Sequence, residues 1–566
     1  MSRWCADFET IEERDEEKVR VWSWCASEIG NTDNIYRGLD IESFMQWLKH
    51  RQGETVYFHN LQYDGGYIVD WLLKNGWEWR QDNQDFVPGV FTSLISDMNV
   101  WYCLKLYWGG KPVEILDSLK VIPLKIAKIP EAFGLPIAKG EIDYNRYREV
   151  GYEPTPEEWD YIDHDVRIDA MAMDVMLEQG LTKMTAGSNA LHTYIDMMGG
   201  KKRFRKVFPI IDCDEELRQA YRGGFTYASD KYKGRCIGHG IGFDVNSLYP
   251  SVMAATDGQL LPFGEPIHYD GEYETDELYP LFIQRIRVSF RVKTDHIPTI
   301  QIHKSPLHNP REYAKDSKGI VELTLTSVDL ELMFQQYEID FYEPLDGWKF
   351  RASRTLFKKY VEYWNEVKMK SRAEGNEGMA TIAKLMLNSL YGKFATKTVA
   401  ASKQPVLDET GKVKYVLLPE ETKESVYLPV GCFITAWARY KTINACQANY
   451  YRFAYCDTDS CKLVGFSKPV GMEIDPLKLG AWKFESVYEE QKYLGAKCYM
   501  CQELDWSVDD RKPSIHVAGM PDSCHKYVTF DNFKVGSSYP GKLKRKTVNG
   551  GVLLVEGEHT IKERMF

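Results

Sequence analysis

Residues 455–460 read YCDTDS, so that Asp457 and Asp459 are separated by a single residue. The segments on either side, ANYYRFA and CKLVGF, have the composition of β-strands. Alternate side chains of a strand point to the same side, and two carboxylates placed in this way would repel each other. One interpretation is a polar hairpin turn, because Asp and Ser favour turns. The other is half of a divalent-metal site, because carboxylate oxygens bind Mg²⁺ and Mn²⁺.

The length and composition predict a soluble multidomain protein. The chain has 566 residues, of which 44% are hydrophobic and 27% are charged. No apolar run approaches the roughly 20 residues that cross a bilayer, and the segment MSRWCADFET lacks the apolar core of a signal peptide. The twelve cysteines do not include two C-x-x-C motifs, the paired spacing of a zinc site, and they are too scattered for a disulfide scaffold. We therefore expect a protein of a reducing compartment with no membrane partner.

The net charge of −11 does not exclude a nucleic-acid partner, because the contact surface of a large protein is local. Basic residues are concentrated in three places. Residues 201–206 contain five cations in six residues, residues 349–372 contain eight, and residues 542–546 read KLKRK. Each run alone is typical of a solvated surface. Three runs with aromatic residues nearby favour contacts with a phosphate backbone.

Helical and strand-like patterns alternate in residues 1–185. SRWCADFET and ETVYFHN are predicted strands, whereas IESFMQWLKH and YIVDWLLKNG have the apolar spacing of helices. A further helix is predicted over 156–179, with Thr155 as its N-cap. These alternating elements predict an α/β unit.

The rest of the chain is predicted to contain several kinds of element. Residues 262–345 are β-rich, 354–395 are helical, and 450–530 are again rich in strands. The segment KQPVLDETGKVKYVLL predicts a hairpin that turns at DETGK. After it, VGCFITAWAR is predicted to be a strand.

The N-terminal half contains acidic residues at spacings that place them on shared faces. Asp7 and Glu9, in DFE, lie on a predicted strand and face the same way. Tyr161 and Asp165, in YIDHD, lie four apart on a predicted helix and share a face. Asp64 lies in HNLQYDGG. Any one of these patterns is weak, because an isolated D-x-E is usually a surface feature.

Together and in this order, the acidic patterns resemble the motifs of proofreading 3′–5′ exonucleases. The resemblance implies that the four carboxylates hold two metal ions, which lie about 3.5–4 Å apart and clamp the attacking and leaving oxygens of a phosphodiester. It implies that Tyr161 orients the attacking water and that Lys139 faces the scissile phosphate. The residues implied to contact a single-stranded 3′ end are Thr10, Asn60, Tyr63, Ser118 and Leu119.

Two further motifs could supply partners for YCDTDS. FDVNSLYPS places Asp244 at the end of a predicted strand and Tyr249 after a turn, although an Asx-turn with a core tyrosine has the same pattern. In AKLMLNSLYGKF, Lys384, Asn388 and Tyr391 are spaced to share one stripe of a helix. An amphipathic helix with a solvated lysine is the alternative interpretation.

The order of these motifs resembles the signature of the family B DNA polymerases, which is D-x-x-S-L-Y-P, K-x-x-x-N-S-x-Y-G, YCDTDS and then K-x-Y, here KCY at 497–499. YRGGF at 221–225 resembles the Y-x-G-G motif of that family, and TAWAR at 435–439 resembles another palm motif. The resemblance covers nearly the whole chain. It is closest to the protein-primed DNA polymerases of tailed bacteriophages, whose linear genomes carry a terminal protein on each 5′ end.

The resemblance implies roles for the polymerase motifs. Asp244 and Asp459 are the implied ligands of two Mg²⁺ or Mn²⁺ ions, with Asp457 as an auxiliary carboxylate, and the dNTP completes the site. Tyr249 is implied to stack under the sugar and to exclude a 2′-OH. A second lysine, which related enzymes carry one turn before Lys384, is replaced by alanine at position 380. The other residues implied to contact nucleotide or DNA are Lys368, Lys384, Asn388, Tyr391, Tyr221, Gly223, Gly224, Thr435, Arg439, Lys497 and Tyr499.

The same resemblance predicts a multidomain α/β (α+β) fold. An RNase H-like exonuclease domain precedes a right-hand polymerase domain of palm, fingers and thumb, which carries two terminal-protein-region insertions. The predicted bounds are 1–185 for the exonuclease domain, 186–260 and 427–530 for the palm, 261–358 and 396–426 for the two insertions, 359–395 for the fingers and 531–566 for the thumb.

Two classes of function are compatible with this fold. One is an active DNA polymerase with proofreading, which replicates a linear phage genome by protein-primed, strand-displacing, processive synthesis. The other is a replication scaffold that has lost its chemistry and only binds DNA or terminal protein. An RNA-templated polymerase would leave the exonuclease motifs unexplained. All seven carboxylates of the motifs are present, which favours the active enzyme.

The expected partners are primer-template DNA, single-stranded DNA and the terminal protein. We expect the chain to act as a monomer that forms a heterodimer with terminal protein at initiation. The expected location is the cytoplasm of a bacterial host.

Overall fold

The computed structural model describes residues 2–13, 18–140, 142–143, 146–303, 305–504 and 513–562. Its helices are α1 (Ile41–Lys49), α2 (Leu61–Lys74), α3 (Ile129–Phe133), α4 (Pro156–Glu178), α5 (Ala186–Met197), α6 (Lys201–Val207), α7 (Asp214–Arg218), α8 (Leu248–Met253), α9 (Ser327–Gln336), α10 (Lys358–Ala373), α11 (Glu377–Phe394) and α12 (Leu428–Ala448).

The strands of the first half are β1 (Arg3–Glu12), β2 (Val19–Glu28), β3 (Asn31–Gly38), β4 (Thr55–Phe58), β5 (Glu78–Trp79), β6 (Val90–Ile95), β7 (Trp101–Tyr107), β8 (Val113–Asp117), β9 (Thr226–Ala228), β10 (Cys236–Ile237), β11 (Gly240–Val245), β12 (Leu261–Asp270) and β13 (Leu281–Val292). Those of the second half are β14 (Val321–Thr326), β15 (Tyr337–Ser353), β16 (Val399–Ala400), β17 (Lys403–Leu407), β18 (Val413–Leu417), β19 (Glu421–Thr422), β20 (Phe453–Asp457), β21 (Ser460–Val464), β22 (Trp482–Gly495), β23 (Cys498–Glu503), β24 (Ser514–Val517), β25 (Ser538–Val548) and β26 (Gly551–Thr560).

The N-terminal part is an eight-stranded sheet with the order β3-β2-β1-β4-β8-β7-β6-β5. Strand β1 is antiparallel to β2 and parallel to β4, and the predicted strands SRWCADFET and ETVYFHN are confirmed. Helix α4 begins where the sequence predicts, because Thr155 and Glu158 form a capping box. It packs against β1 and β2. One strand and one helix thereby bring distant acidic segments together.

A second sheet has the order β24-β23-β22-β11-β21-β20-β9, with β10 paired to β22. The segment VGCFITAWAR lies in helix α12 behind this sheet, so its prediction as a strand is wrong. Every residue from Leu428 to Ala436 is buried. A helix that is buried all round has a continuous apolar sequence, which periodicity alone cannot distinguish from that of a buried strand.

Two further groups of elements extend from this sheet. Strands β12, β15, β13 and β14 form a four-stranded sheet in the region predicted to be β-rich, and α9 lies within the same region. The predicted hairpin at DETGK is confirmed as β17 and β18. Helices α10 and α11 pack against each other in the predicted helical stretch. Within the described ranges, no helix is both long enough and apolar enough to span a membrane.

The hairpins β17–β18 and β25–β26 both pack against the N-terminal part of the chain, on its sheet and on helix α2. The Tyr415 and Trp101 rings lie 5.5 Å apart between centroids. In the other hairpin, the carbonyl of Val552 accepts a hydrogen bond of 2.7 Å from the hydroxyl of Tyr67, which lies on α2. Chain segments that are hundreds of residues apart therefore meet around the N-terminal sheet.

A buried ion pair joins α12 to α9. The Arg439 guanidinium donates to the Asp329 carboxylate at 2.7–3.0 Å and also to the carbonyls of Arg222 and Gly223. Arg439 is 2% exposed and Thr435, one turn earlier, is 1% exposed. The sequence-based prediction that both contact DNA is not supported by these interior positions, because neither side chain reaches the surface.

The substitution Arg439→Met is expected to lower the free energy of unfolding by about 3–5 kcal/mol, because it leaves a buried carboxylate without its counter-charge. Urea unfolding followed by circular dichroism measures the change. The matched control is Lys441→Met, on the same helix, which removes the more exposed ion pair between Lys441 and Asp257. This substitution is expected to lower the free energy of unfolding by about 1 kcal/mol or less. Equal losses in the two variants would contradict a structural role for the buried pair.

Candidate active sites

Four carboxylates meet beside the centre of the N-terminal sheet. Asp7 and Glu9 lie on β1, Asp64 lies in the first turn of α2, and Asp165 lies on α4. Burial and the neighbouring charge of Asp165 raise the pKa of Asp7 to about 7. Burial and the charge of Asp7 also raise the pKa values of Glu9 and Asp64. The electrostatic coupling indicates that the structure brings together the carboxylates that the sequence grouped.

Only part of this negative charge is compensated by the protein. The Lys139 ammonium donates a hydrogen bond of 2.7 Å to Asp165 Oδ2 and lies 5.5 Å from the centre of the Tyr161 ring. By contrast, Asp64 Oδ1 and Asp165 Oδ1 are buried without a hydrogen-bond partner. Buried carboxylate oxygens of this kind favour binding of a cation.

The carboxylates do not form a complete metal cage. Among the described residues, no group of three or more His, Cys, Asp or Glu side chains is arranged to hold a metal ion. Mg²⁺ is usually bound by one or two carboxylates, with water and substrate phosphates as its other ligands. The oxygen donors present therefore fit a magnesium ion whose coordination is completed by water and phosphate oxygens.

Polar and aromatic side chains lie next to Glu9 and Asp64, because Thr10 and Tyr63 are their neighbours in the chain. Asn60 precedes α2 with a φ of 81°, in the left-handed region that asparagine tolerates, and its side chain does not cap the helix. The hydroxyls of Thr10 and Tyr63 are 2.6 Å apart. The structure thus places the three predicted single-strand contacts Thr10, Asn60 and Tyr63 side by side.

Ser118 occupies an unexpected position. It is 0% exposed, and its hydroxyl donates to Asp169 Oδ2 at 2.8 Å and contacts His59 Nδ1 at 3.0 Å. Burial opposes the charging of His59, but the hydrogen-bonded Asp169 raises its pKa overall. Ser118 therefore does not line an open channel, and its neighbour Leu119 is half-buried.

The YCDTDS segment forms the tip of a hairpin in the second sheet. Strand β20 ends at Asp457 and β21 begins at Ser460, so that Thr458 and Asp459 form the turn. The segment is therefore a hairpin turn, a geometry that is also compatible with a metal site, and the expectation that both carboxylates share one strand face is wrong. Thr458 has a φ of 59°. The turn brings Asp459 beside Asp244, because Asp244 pairs with Ser460 across β11 and β21.

The YRGGF segment contacts this turn through Phe225 and Gly224. The Thr458 N–H donates to the carbonyl of Phe225 at 2.7 Å. A Cβ atom at Gly224 would lie 2.6 Å from the Thr458 hydroxyl oxygen, so that only glycine permits this approach. Gly223 is exposed and Tyr221 is half-buried. The motif thus fixes the position of the turn.

Asp244 and Asp459 are the two carboxylates of the YCDTDS region whose negative charges are least compensated by the protein. Burial, Asp459 and Glu485 raise the pKa of Asp244 to about 7, and burial raises that of Asp459. Asp457, by contrast, accepts a hydrogen bond of 2.9 Å from the Thr226 hydroxyl, and the Lys497 ammonium lies 3.9 Å away. Asp244 and Asp459 are therefore the two that a cation would stabilise most.

A cavity of about 540 Å³ opens beside Asp244 and Asp459. The Tyr249 and Tyr391 rings stack at 4.0 Å on one wall. Burial and the charges of Arg372 and Lys384 lower the pKa of Lys368, which shows that these three cations converge. The predicted residues in the lining are Asp244, Tyr249, Lys368, Lys384, Asn388, Tyr391 and Asp459, and those that sequence reasoning missed include Asn365, Arg372 and Lys483.

Two further residues implied to contact nucleotide or DNA lie at β23, Tyr499 on the strand and Lys497 in the turn between β22 and β23. Tyr499, on β23, stacks on His516 with ring centres 4.6 Å apart. The Lys497 side chain is 61% exposed, and its backbone N–H donates to the Tyr455 hydroxyl at 3.0 Å. Both residues therefore border the surface that carries Asp457.

Comparison with known proteins gives concordant matches. A family model described as "DNA polymerase type B, organellar and viral" matches residues 48–153 and 145–473. The DNA polymerase of Bacillus phage M2 is 46% identical over 98% of this chain and 99% of that protein.

Solved structures match over the same length. The structure of Phi29 DNA polymerase complexed with primer-template DNA and incoming nucleotide substrates has a TM-score of 0.92 and 43% identity, and the match covers 99% of this chain and 100% of that one. The same polymerase complexed with single-stranded DNA matches with a TM-score of 0.91 at the same identity and coverage. The predicted α/β fold and the predicted family are confirmed. The chain therefore belongs to the type B DNA polymerases of organelles and viruses, in the group that includes the polymerase of phage phi29.

Proposed function

We propose that the chain replicates a linear phage genome by protein-primed, strand-displacing synthesis, and that its N-terminal site removes mispaired nucleotides by 3′–5′ exonucleolysis. The observation that carries the proposal is that Asp244 and Asp459 line the same cavity as Lys368, Arg372 and Lys384. Carboxylates that hold a cation beside ammonium and guanidinium groups suit a triphosphate. This DNA-directed polymerase takes primer-template DNA as its substrate.

In the polymerase site, each group of the chain has a separate task. Asp244 and Asp459 would hold the divalent ions, and the turn at Thr458 fixes the position of Asp459 beside Asp244. Mg²⁺ or Mn²⁺ would supply Lewis acidity at the triphosphate. Lys384 and Lys368 orient the triphosphate, Asn388 and Tyr391 line the same wall, and the Tyr249 ring excludes a 2′-hydroxyl by its bulk.

In the exonuclease site, the carboxylates and the lysine divide the work. Asp7, Glu9, Asp64 and Asp165 would hold divalent ions, whose charge would supply the acidity that makes a water nucleophilic. Tyr161 orients that water, and the Lys139 ammonium, held by Asp165, faces the scissile phosphate. Asn60, Thr10 and Tyr63 hold the single-stranded end that enters.

The two activities are expected to separate by mutation. The double substitution Asp7→Ala and Glu9→Ala should reduce degradation of a single-stranded oligonucleotide by at least about 10³-fold, because metal-assisted catalysis supplies much of the rate. Extension of a primer should stay within about twofold of wild type, because Asp244 and Asp459 lie in another sheet. Gel assays with one labelled oligonucleotide measure both rates.

The matched control for this pair is Asp244→Asn, which should abolish extension and retain degradation. Comparable loss of both activities in Asp7→Ala/Glu9→Ala would contradict two independent metal sites.

Protein priming and strand displacement complete the proposal. The sheet of β12–β15 and the hairpin β17–β18 occupy the two regions assigned to terminal-protein insertions, and they carry none of the proposed metal ligands. A Cβ atom at Gly411, in the turn of the β17–β18 hairpin, would lie 3.8 Å from Asn549 Oδ1 of the C-terminal hairpin. Two hairpins that meet in this way can close a ring, which would retain DNA and admit only a single template strand.

Replacement of residues 402–415 by a short Gly-Ser link tests the ring. Incorporation of a single nucleotide should be retained, because the carboxylates are untouched. Products on a primed circle should shorten when trap DNA allows one binding event, and synthesis should stall at a downstream duplex. As a control, replacement of the turn residues 409–411 alone by Gly-Ser-Gly should preserve the Tyr415–Trp101 contact and longer products. Unchanged product length and duplex passage in the larger replacement would contradict the ring.

A further inference from the structure

The C-terminal hairpin is docked on the exonuclease site by its turn. Val548 is 0% exposed within the core of the N-terminal sheet. The carbonyl of Asn549 accepts a hydrogen bond of 2.9 Å from Val19 N–H, and that of Val552 accepts one from the Tyr67 hydroxyl. These contacts fix the end of the hairpin on β2 and α2, next to the residues that surround Asp64.

The docking places one cation of the KLKRK run beside Asn60. Arg545 Nη2 lies 3.4 Å from the side-chain oxygen of Asn60, which is 485 positions earlier in the chain. Burial lowers the pKa of Arg545, and the nearby Tyr63 and Asp64 oppose this effect. The guanidinium therefore adjoins Asn60 and Tyr63, which belong to the proposed single-strand site, and Asp64, which is a proposed metal ligand.

We propose that Arg545 is a phosphate-binding residue of the exonuclease site. When a single-stranded 3′ end enters, the guanidinium exchanges the Asn60 amide oxygen for a phosphate of the strand. The C-terminal hairpin and α2 then hold the strand between them. This proposal rests on the exonuclease activity proposed above and adds a binding residue to its site.

The weakness of the present contact between Arg545 and Asn60 supports this exchange. A bond of 3.4 Å to a neutral amide lies beyond the usual hydrogen-bond range. Arginine binds phosphate through shorter, charge-assisted and bidentate bonds, so the phosphate would replace the amide readily. Docking of the hairpin does not require Arg545, because Val548, Asn549 and Val552 already provide it. Attachment of the hairpin to the N-terminal sheet therefore does not explain why the Arg545 side chain lies beside Asn60.

The test measures binding of single-stranded DNA separately from its cleavage. Arg545→Gln is introduced into the Asp7→Ala/Glu9→Ala background, and affinity for a fluorescent oligothymidylate is measured by anisotropy between 50 and 200 mM salt without metal. The matched control is Lys544→Gln, which removes one cation from the adjacent residue of β25, on the opposite face of the strand. Arg545→Lys retains the charge without the planar fork.

The expected result is binding about three- to tenfold weaker in Arg545→Gln at 50 mM salt, with a smaller loss in Arg545→Lys. A plot of log affinity against log salt has a negative slope, and loss of one phosphate contact makes that slope less steep by about 0.7. The ratio of parent to variant affinity should therefore be about 2.5-fold smaller at 200 mM than at 50 mM salt. In the chain with Asp7 and Glu9 intact, Arg545→Gln should raise KM for single-stranded degradation and leave kcat within about twofold.

Equal affinities and salt slopes in Arg545→Gln and Lys544→Gln would overturn the proposal. A lower Tm in Arg545→Gln with an unchanged salt slope would overturn it as well, because it would identify Arg545 as a structural tether. Because binding is measured without cleavage, a chain with no nuclease activity would refute the proposed exonuclease and leave this measurement interpretable.

Discussion

The crowding of partly or fully buried carboxylates is the constraint on which both candidate sites depend. Burial and neighbouring acids raise the pKa of Asp7 and of Asp244 to about 7. A chain that only had to fold would gain stability from neutral residues there. Strand β1 with α4, and β11 with the hairpin of β20 and β21, instead hold these acids in place. The rest of each site is explained by the cations and phosphates that such groups bind.

Sequence periodicity was sufficient where one element carries the chemistry. The spacing of Asp7 and Glu9, the cap at Thr155 and the stripe of α11 each needed only strand or helix geometry. It failed for α12, whose apolar run is continuous, and for Asp459, which lies in a turn.

The positions of the other misplaced residues depend on tertiary contacts. Ser118 is inside because His59 and Asp169 surround it, and Arg439 is inside because Asp329, 110 residues away, neutralises it. No local pattern indicates that Arg545 reaches Asn60. The family resemblance identified the motifs, and the structure separates those that line a site from those that support one.

Manganese binding tests the central claim that each carboxylate cluster holds divalent ions. Free Mn²⁺ is measured by electron paramagnetic resonance with a phosphorothioate-ended single strand and a dNTP present. Compared with the wild-type chain, Asp7→Ala/Glu9→Ala and Asp244→Asn/Asp459→Asn should each lose a different part of the bound Mn²⁺. The combined variant should retain almost none above the dNTP background. Bound Mn²⁺ that is unchanged in the combined variant would contradict the account.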